Sequence, residues 1–154
     1  MTVVYNFAQR FVPHIVGGIK DQTIRAPRRR EPRIGEALRL QHGARLQPKL
    51  IGFVPCIFAG TIALSFSRHV ALIYDRFVSD NEGYDPIETL KGSSDLDALG
   101  RRDGFDGFDD MGTYWFVAEG DAANGGGWLF RTLIRWHAPL CPTAAEAESL
   151  HVAA

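Results

Sequence analysis

The sequence predicts an α+β fold in which short helices flank a mainly antiparallel sheet. With 154 residues, 45% of them hydrophobic and 23% charged, the chain has the length and composition of an ordinary globular protein. Segments with the alternation or the β-branched and aromatic content of strands outnumber segments with helical periodicity. Their order is a strand, a helix, several strands, further helices and a last strand, which favours α+β over alternating α/β. Such a sheet can close as a small barrel.

The N-terminal segment predicts a strand followed by a short helix. Residues 2–7 alternate between the two faces of a strand. The helix has an apolar residue at every fourth position, at Phe7, Phe11 and Ile15. Pro13 belongs in its first turn, because proline lacks the backbone donor that a helix interior requires, and Gly17-Gly18 ends the helix.

A strand, a loop and a second strand come next. Thr23-Ile24-Arg25 predicts a short strand, and residues 37–41 alternate as another. Between them, Pro27 and Pro32 bracket Arg28-Arg29-Arg30-Glu31. The prolines disfavour regular structure, so we expect an exposed loop there.

The middle of the chain has the clearest strand composition. Leu50 to Tyr74 is rich in β-branched and aromatic residues and is interrupted by Gly60 and by Ser67-Arg68. We therefore predict strands at about residues 50–58, 61–66 and 69–75. The segment between Asp85 and Ser94 receives no assignment.

Two helices are predicted after this region. Ser94 is the expected N-cap of a helix over residues 95–102, whose acidic start and basic end suit the helix dipole. A second helix over residues 108–117 carries its apolar side chains on one face, at Phe108, Met111 and Trp115.

The C-terminal part predicts a turn, a strand and a weak helix. Residues 124–127 form a flexible glycine turn, and residues 128–136 form the final strand. One side of that strand would carry Trp128, Phe130, Thr132, Ile134 and Trp136. Thr143 and Glu146 have the spacing of a capping box. We therefore expect a single domain over residues 1–137 and a C-terminal tail over residues 138–154, either weakly helical or disordered.

Composition also bounds where the protein works. No apolar run approaches the roughly 18 residues that a membrane-spanning helix needs, and the N-terminus lacks a basic-then-apolar leader. Cys56 and Cys141 match no zinc spacing and suit free thiols in a reducing compartment. These features predict a cytoplasmic protein with no membrane partner.

The net charge of -1 hides an asymmetry along the chain. Residues 1–50 contain ten Lys and Arg against three acids, a net of +7, and residues 51–154 contain seven against fifteen, a net of −8. The split indicates either a basic face for a partner that carries phosphate or two halves that attract each other on folding.

Several kinds of chemistry are excluded by spacing. The acidic run from Asp103 to Asp110 has Phe105 and Gly107 where an EF-hand loop requires oxygen ligands. The five histidines have no metal-ligand spacing, and no Gly-x-Ser-x-Gly motif occurs. We therefore predict no metal and no cofactor.

Lys20 and Thr23 remain as candidates for chemistry. Three positions apart on a turn, their amine and hydroxyl can come within hydrogen-bond reach. An amine whose pKa is lowered by burial can activate a hydroxyl nucleophile. The alternative is a surface lysine beside a threonine that satisfies the turn.

Several motifs resemble the ASCH domain, a relative of the PUA fold. The resemblance rests on Phe7-Ala-Gln-Arg-Phe11, Ile15-Val-Gly-Gly-Ile-Lys20-Asp-Gln-Thr23-Ile-Arg25, Ile34-Gly35-Glu36-x-Leu38, Asp103-Gly104-Phe105-Asp106 and Leu133-Ile134-Arg135-Trp136. It implies a small PUA-like β-barrel with flanking short helices. It also implies a cleft, lined by Lys20, Thr23, Arg25 and Asp103, that binds RNA or a nucleotide.

The same resemblance implies two alternative activities. Some ASCH proteins are amidohydrolases that remove the acetyl group from acetylated cytidine, and others are credited with ribonuclease activity. In the first case Lys20 would be the base, Thr23 the nucleophile and Asp103 the orienting carboxylate. Asp103 stands where those enzymes have glutamate, and a shift of roughly an ångström in a catalytic group can cost about a hundredfold in rate.

The arginines near the lysine motif are the candidate ligand-binding residues. Arg25 is similar to the arginine of the family motif and would hold phosphate or pair with Asp103. The loop arginines Arg28, Arg29, Arg30 and Arg33 would make salt-sensitive contacts to a nucleic-acid backbone. The alternative is a solvated loop, because no aromatic residue is interleaved among them to stack a base.

Overall fold

The computed structural model describes residues 2–79, 83–119 and 127–153, and it confirms the α+β class. The described strands are β1 (Val3–Phe7), β2 (Gln22–Arg25), β3 (Ala37–His42), β4 (Lys49–Ser65), β5 (Val70–Tyr74), β6 (Glu88–Leu90) and β7 (Leu129–Trp136). The α-helices are α1 (Val12–Val16), α2 (Ser93–Arg102), α3 (Phe108–Glu119) and α4 (Ala144–Ala153), and a 3-10 helix (Gln9–Phe11) precedes α1. Within the described ranges no helix is long and apolar enough to cross a membrane.

The chain divides into two compact units. The first unit comprises Met1–Gln22, Arg28–Ala59 and Ile134–Ala154, and the second comprises Thr23–Pro27 and Gly60–Leu133. The sequence charge follows this division. The first unit has ten Lys and Arg against five acids, a net of +5, and the second has seven against thirteen, a net of −6.

A mixed sheet forms the base of the first unit. β1 pairs with β3 in parallel, with Val3 opposite Leu38, and β3 pairs with the first part of β4 in antiparallel fashion, with Ala37 opposite Pro55. Burial alternates along β1 as predicted, because Val3, Tyr5 and Phe7 point into the core while the residues between them are exposed.

The predicted helix after β1 is also present. Phe11 and Ile15 are both buried, and Pro13 lies in the first turn of α1. Gly17 follows the helix, and Gly18 adopts a φ of +79°, which L side chains rarely adopt. The chain is therefore turned sharply before Lys20.

α4 packs on one end of this sheet. A small cluster joins it to β3 and β4 through Ala37, Phe53, Cys141, Ala144 and Ala147. The hydroxyl of Thr143 accepts a hydrogen bond of 3.2 Å from the backbone N–H of Glu146, which confirms the predicted cap. The capped helix is held to the sheet by apolar contacts.

The second unit contains antiparallel strand pairs. The last part of β4 pairs with β5, with Thr61 opposite Tyr74, and β5 pairs with β6, with Ala71 opposite Leu90. β6 occupies the segment that the sequence left unassigned, and β2 pairs with β7.

One strand prediction is wrong in this region. The two strands expected at residues 50–58 and 61–66 form a single strand, β4, that is 17 residues long. Gly60 lies buried within this extended segment and does not turn the chain. The predicted interruption at Ser67-Arg68 is confirmed, because the chain turns there before β5.

α2 and α3 approach each other closely at two glycines. A Cβ on Gly100 would lie 2.4 Å from the backbone of Gly107, so only glycine fits at this contact. The carboxylate of Asp97 accepts a hydrogen bond of 3.0 Å from the N–H of Phe108 and so satisfies a donor at the start of α3. The predicted Ser94 cap is wrong, because α2 begins at Ser93 after Gly92 and has no side-chain cap.

The predicted helix α3 and the predicted final strand are both present. Phe108, Met111 and Trp115 are buried on one face of α3, as expected. The final strand forms as β7, and Thr132, Leu133 and Ile134 are buried in succession, so both faces of the strand are buried there. Residues 124–126 of the predicted glycine turn lie outside the described ranges.

Candidate functional site

Lys20 is a buried cation in the first unit. The turn at Gly18 brings the chain back to α1, where the backbone N–H of Lys20 donates a 2.9 Å hydrogen bond to the carbonyl of His14. Only 3% of the residue is exposed, and its ammonium donates a 2.7 Å hydrogen bond to the carbonyl of Gln22. The ammonium also lies 5.4 Å and 5.1 Å from the ring centroids of Phe7 and Phe11.

The side chain of Gln22 contacts a second cation, Arg135. Gln22 is fully buried, and its Oε1 accepts a 3.1 Å hydrogen bond from the Nε of Arg135 in the last strand. The guanidinium of Arg135 lies 5.7 Å from the ring centroid of Phe58. The backbone N–H of Trp136 donates to the carbonyl of Asp21 at 3.0 Å, which holds the end of β7 beside this stretch. We call Lys20, Gln22 and Arg135 the Gln22 site.

The Gln22 site brings two cationic side chains to one neutral residue. Lys20 and Arg135 donate hydrogen bonds to two different oxygen atoms of Gln22. Hydrogen bonds from ammonium and guanidinium groups to anionic oxygens are stronger than those between neutral groups. Such an arrangement suits a ligand with several acceptor oxygens.

A cavity of about 200 Å³ adjoins Lys20. Lys20 and Asp21 contribute polar side chains to its lining, and apolar side chains and glycine form the remaining walls. Those walls are Ile15, Val16, Gly17, Gly18, Val54, Trp136, Ala138, Pro139 and Leu140. Drug-sized ligands fill pockets of about 300–1,000 Å³, so this cavity suits one ring or one phosphate group.

Thr23 and Arg25 lie together in the second unit. Thr23 is 3% exposed, and its hydroxyl oxygen accepts a 2.8 Å hydrogen bond from the Nε of Arg25. The contact fixes the orientation of the hydroxyl group and places a cation beside it. It also gives Arg25 a partner on the same strand.

Asp103 is buried at the end of α2. It is 5% exposed, and its backbone N–H donates to the carbonyls of Leu99 and Gly100 at 3.2 Å and 3.1 Å. Gly104 follows with a φ of +94°, so the chain leaves the helix in a left-handed turn. Asp103 and Thr23 belong to the second unit and Lys20 to the first.

The arginine loop, residues 28–33, has four exposed arginines and is partly organised by Glu36. The guanidinium of Arg30 forms an ion pair with Glu36, and the backbone N–H of Arg33 donates to the same carboxylate at 2.7 Å. Burial tends to raise the pKa of Glu36, but the Arg33 N–H and the Arg30 guanidinium outweigh it, so the pKa is lowered.

The side chains of Arg28, Arg29 and Arg33 differ in their contacts. The guanidinium of Arg28 lies 4.2 Å from the ring centroid of Tyr5 and packs against that ring. Arg29 and Arg33 are exposed, and their side chains make no hydrogen bond or ion pair with any residue that the structure describes. These two are the loop cations most accessible to a ligand.

Sequence reasoning missed the role of Gln22 and assigned none to Arg135. The sequence did contain one indication for Gln22, which is a polar residue at the start of a short strand that is largely buried. Arg135 alternates with buried neighbours in β7, but nothing local indicates its partner. Across the described residues, no group of three or more His, Cys, Asp or Glu side chains is placed to hold a metal ion.

The chain was also compared with known proteins. It has no significant match among models of protein families, among curated proteins or among solved structures.

Proposed function

We propose that this protein binds RNA or a nucleotide, with Lys20 and Arg135 of the Gln22 site contacting a phosphate group. The observation that carries the proposal is the meeting of these two cations on the neutral Gln22. Phosphate oxygens accept strong hydrogen bonds from both ammonium and guanidinium groups. The cavity of about 200 Å³ that Lys20 lines has room for one such group.

The arginine loop supports the same function. Arg29 and Arg33 are exposed, and the first unit as a whole has a net charge of +5. Lysines and arginines that neutralise phosphates release counterions, so the affinity of such a surface falls as salt rises. The ASCH resemblance of the Lys20 motif points to the same class of ligand.

An amidohydrolase acting on acetylated cytidine is the second candidate. In its favour, Lys20, Thr23 and Asp103 are each at most 5% exposed, and charged residues are seldom so deeply buried. Against it, the hydroxyl of Thr23 accepts a hydrogen bond from the guanidinium of Arg25, which is only a donor and cannot take up the hydroxyl proton. Binding is therefore the better supported function.

Binding is tested by fluorescence anisotropy with a labelled 12-nucleotide single-stranded RNA and with cytidine monophosphate as competitor. Lys20→Met and Arg135→Gln should each weaken binding about tenfold or more, as expected for losing a charged hydrogen bond. Lys91→Met and Arg101→Gln remove the same charges from exposed positions of the second unit and should change little. Equal effects of site and control variants would refute the Gln22 site.

Catalysis is tested with acetylated cytidine and the isosteric Thr23→Val variant. Turnover that both Thr23→Val and Lys20→Met abolish would establish the amidohydrolase. No turnover above the Lys20→Met background would remove it. The RNA of the binding assay, if recovered intact, would also exclude a ribonuclease.

A further inference from the structure

The sheet of the first unit has an outer face opposite the side that buries Tyr5, Leu40 and Val54. The strand register places its side chains in two rows across β1, β3 and β4. One row is Val4, Arg39 and Phe53, and the other is Asn6, Gln41 and Leu50. We call these six residues the outer sheet face.

α4 covers one end of the outer sheet face. It packs against Ala37 and Phe53, whereas Val4, Asn6 and Leu50 of the same face are exposed. Val4 is 40% exposed and Leu50 is 44% exposed. Phe53 therefore lies at the border between the covered end and the open end.

Arg39 is fixed in the centre of the open part. Its guanidinium lies 5.6 Å from the ring centroid of Phe53, and its Nε donates a 3.0 Å hydrogen bond to the Oε1 of Gln41. Among the described residues, no side chain or carbonyl accepts a hydrogen bond from its two terminal amino groups. A planar cation held beside a ring and an amide offers both a stacking surface and donors.

The charge on this surface selects an anionic ligand. Arg45 is exposed in the connection between β3 and β4, at the open end. Glu146 and Glu148 lie on α4, at the covered end. The open end is therefore basic, and a polyanion would lie there rather than over the helix.

We propose that single-stranded RNA crosses the outer sheet face, with a base stacked on Arg39 and Phe53 and its backbone near Arg45. This inference rests on the proposed function, and it adds a second contact surface to the Gln22 site. Bases of a single strand can stack on arginine planes and aromatic rings, whereas bases paired in a duplex cannot reach them.

The test compares Arg39→Gln and Arg39→Lys with Arg76→Gln. Arg76 is a matched control, because its guanidinium lies 4.9 Å from the ring centroid of Tyr84 in the second unit. The affinity for the 12-nucleotide single strand is measured beside that for cytidine monophosphate and for an RNA duplex of equal length. Both Arg39 variants should weaken single-strand binding at least fivefold, as expected for about one stacked base. Binding of the mononucleotide should stay within about twofold, since it occupies the Gln22 site.

The outcomes separate this inference from the proposed function. If Arg39→Gln binds the single strand as tightly as Arg76→Gln does, the outer sheet face is refuted, while a loss in Lys20→Met still supports the Gln22 site. Full affinity in Arg39→Lys would refute stacking, because lysine keeps the charge and lacks the plane. Equal affinity for duplex and single strand would also overturn the inference. If the wild-type protein binds neither RNA nor the mononucleotide, both proposals fail.

Discussion

Arg135 donates a 3.1 Å hydrogen bond to the side chain of Gln22, a residue 113 positions earlier in the chain. The amide is fully buried, and the main-chain carbonyl of the same residue holds Lys20. Gln22 therefore positions two cations through two different oxygen atoms. A substitution of its side chain removes the Oε1 acceptor and leaves the main-chain carbonyl in place.

Replacing Gln22 by Met should separate the two contacts. The change removes one side-chain acceptor of Arg135 and keeps the carbonyl that binds Lys20. We expect the free energy of unfolding to fall by about 1–3 kcal/mol, the usual cost of removing one partner of a buried hydrogen bond. Urea denaturation measures this, with Gln47→Met at an exposed position as control.

A double-mutant cycle makes that prediction specific. If Gln22 and Arg135 act together, Arg135→Gln should cost less in the Gln22→Met background than in the wild type. Strict additivity of the two changes would show that the hydrogen bond contributes nothing measurable.

Gly100→Ala should destabilise the contact between α2 and α3. The new Cβ would lie 2.4 Å from the backbone of Gly107, and neither backbone can move without shifting its helix. Overpacking of this kind costs about 1–3 kcal/mol or more, although alanine favours a helix over glycine. Gly92→Ala is the matched control, because a Cβ there meets nothing within 4 Å. A Gly100→Ala protein as stable as this control would contradict the close approach.

Glu36→Gln should reduce the fall in the free energy of unfolding between pH 7 and pH 3. The Arg33 N–H and the Arg30 guanidinium lower the pKa of Glu36 in the folded state below its usual 4.5. The carboxylate therefore contributes stability above pH 4.5, and this contribution is lost as the pH falls through the lower folded pKa. Unfolding by urea at pH 7, 5, 4 and 3 measures the effect. The wild-type and variant curves should converge at the acid end, and parallel curves would contradict the assignment.

Local features of the fold could be predicted from the sequence. The stripe of Phe11 and Ile15, the turn at Gly18 and the cap at Thr143 depend on neighbouring residues, and all three are present. The continuity of β4 through Gly60 could not be predicted, because a glycine breaks a strand only when its backbone leaves the extended region. The parallel pairing of β1 with β3 depends on tertiary contacts, which the alternation of buried and exposed residues along each strand does not encode.

The candidate site shows the same limit. The spacing of Lys20 and Thr23 singled out two residues that are each 3% exposed. Their contacts were not predictable, since Lys20 binds the carbonyl of Gln22 and Thr23 accepts from Arg25. The partner of Gln22 lies at the other end of the chain, where no periodicity points to it.

The two cysteines should be unreactive in the folded protein. Cys56 is fully buried, and burial raises the pKa of its thiol to about 12, with the Glu36 carboxylate adding to the shift. Burial also raises the pKa of Cys141, with a further contribution from Glu146. Only the thiolate attacks alkylating reagents, so iodoacetamide at pH 8 should modify neither residue until the chain is unfolded.

The same shift predicts a loss of stability at high pH. Below pH 9.0 the thiol of Cys56 is neutral in both states, so its contribution to folding is constant. Between pH 9.0 and about 12 the unfolded chain ionises first, and the free energy of unfolding falls. Cys56→Ala should therefore lose less stability over that interval than the wild type, measured by urea unfolding from pH 8 to 11. In the alkylation experiment, Ser149→Cys is the control for reagent access, because its thiol is at an exposed position and should react with iodoacetamide within minutes. Rapid alkylation of native Cys56, or equal alkaline losses in Cys56→Ala and wild type, would contradict a buried neutral thiol.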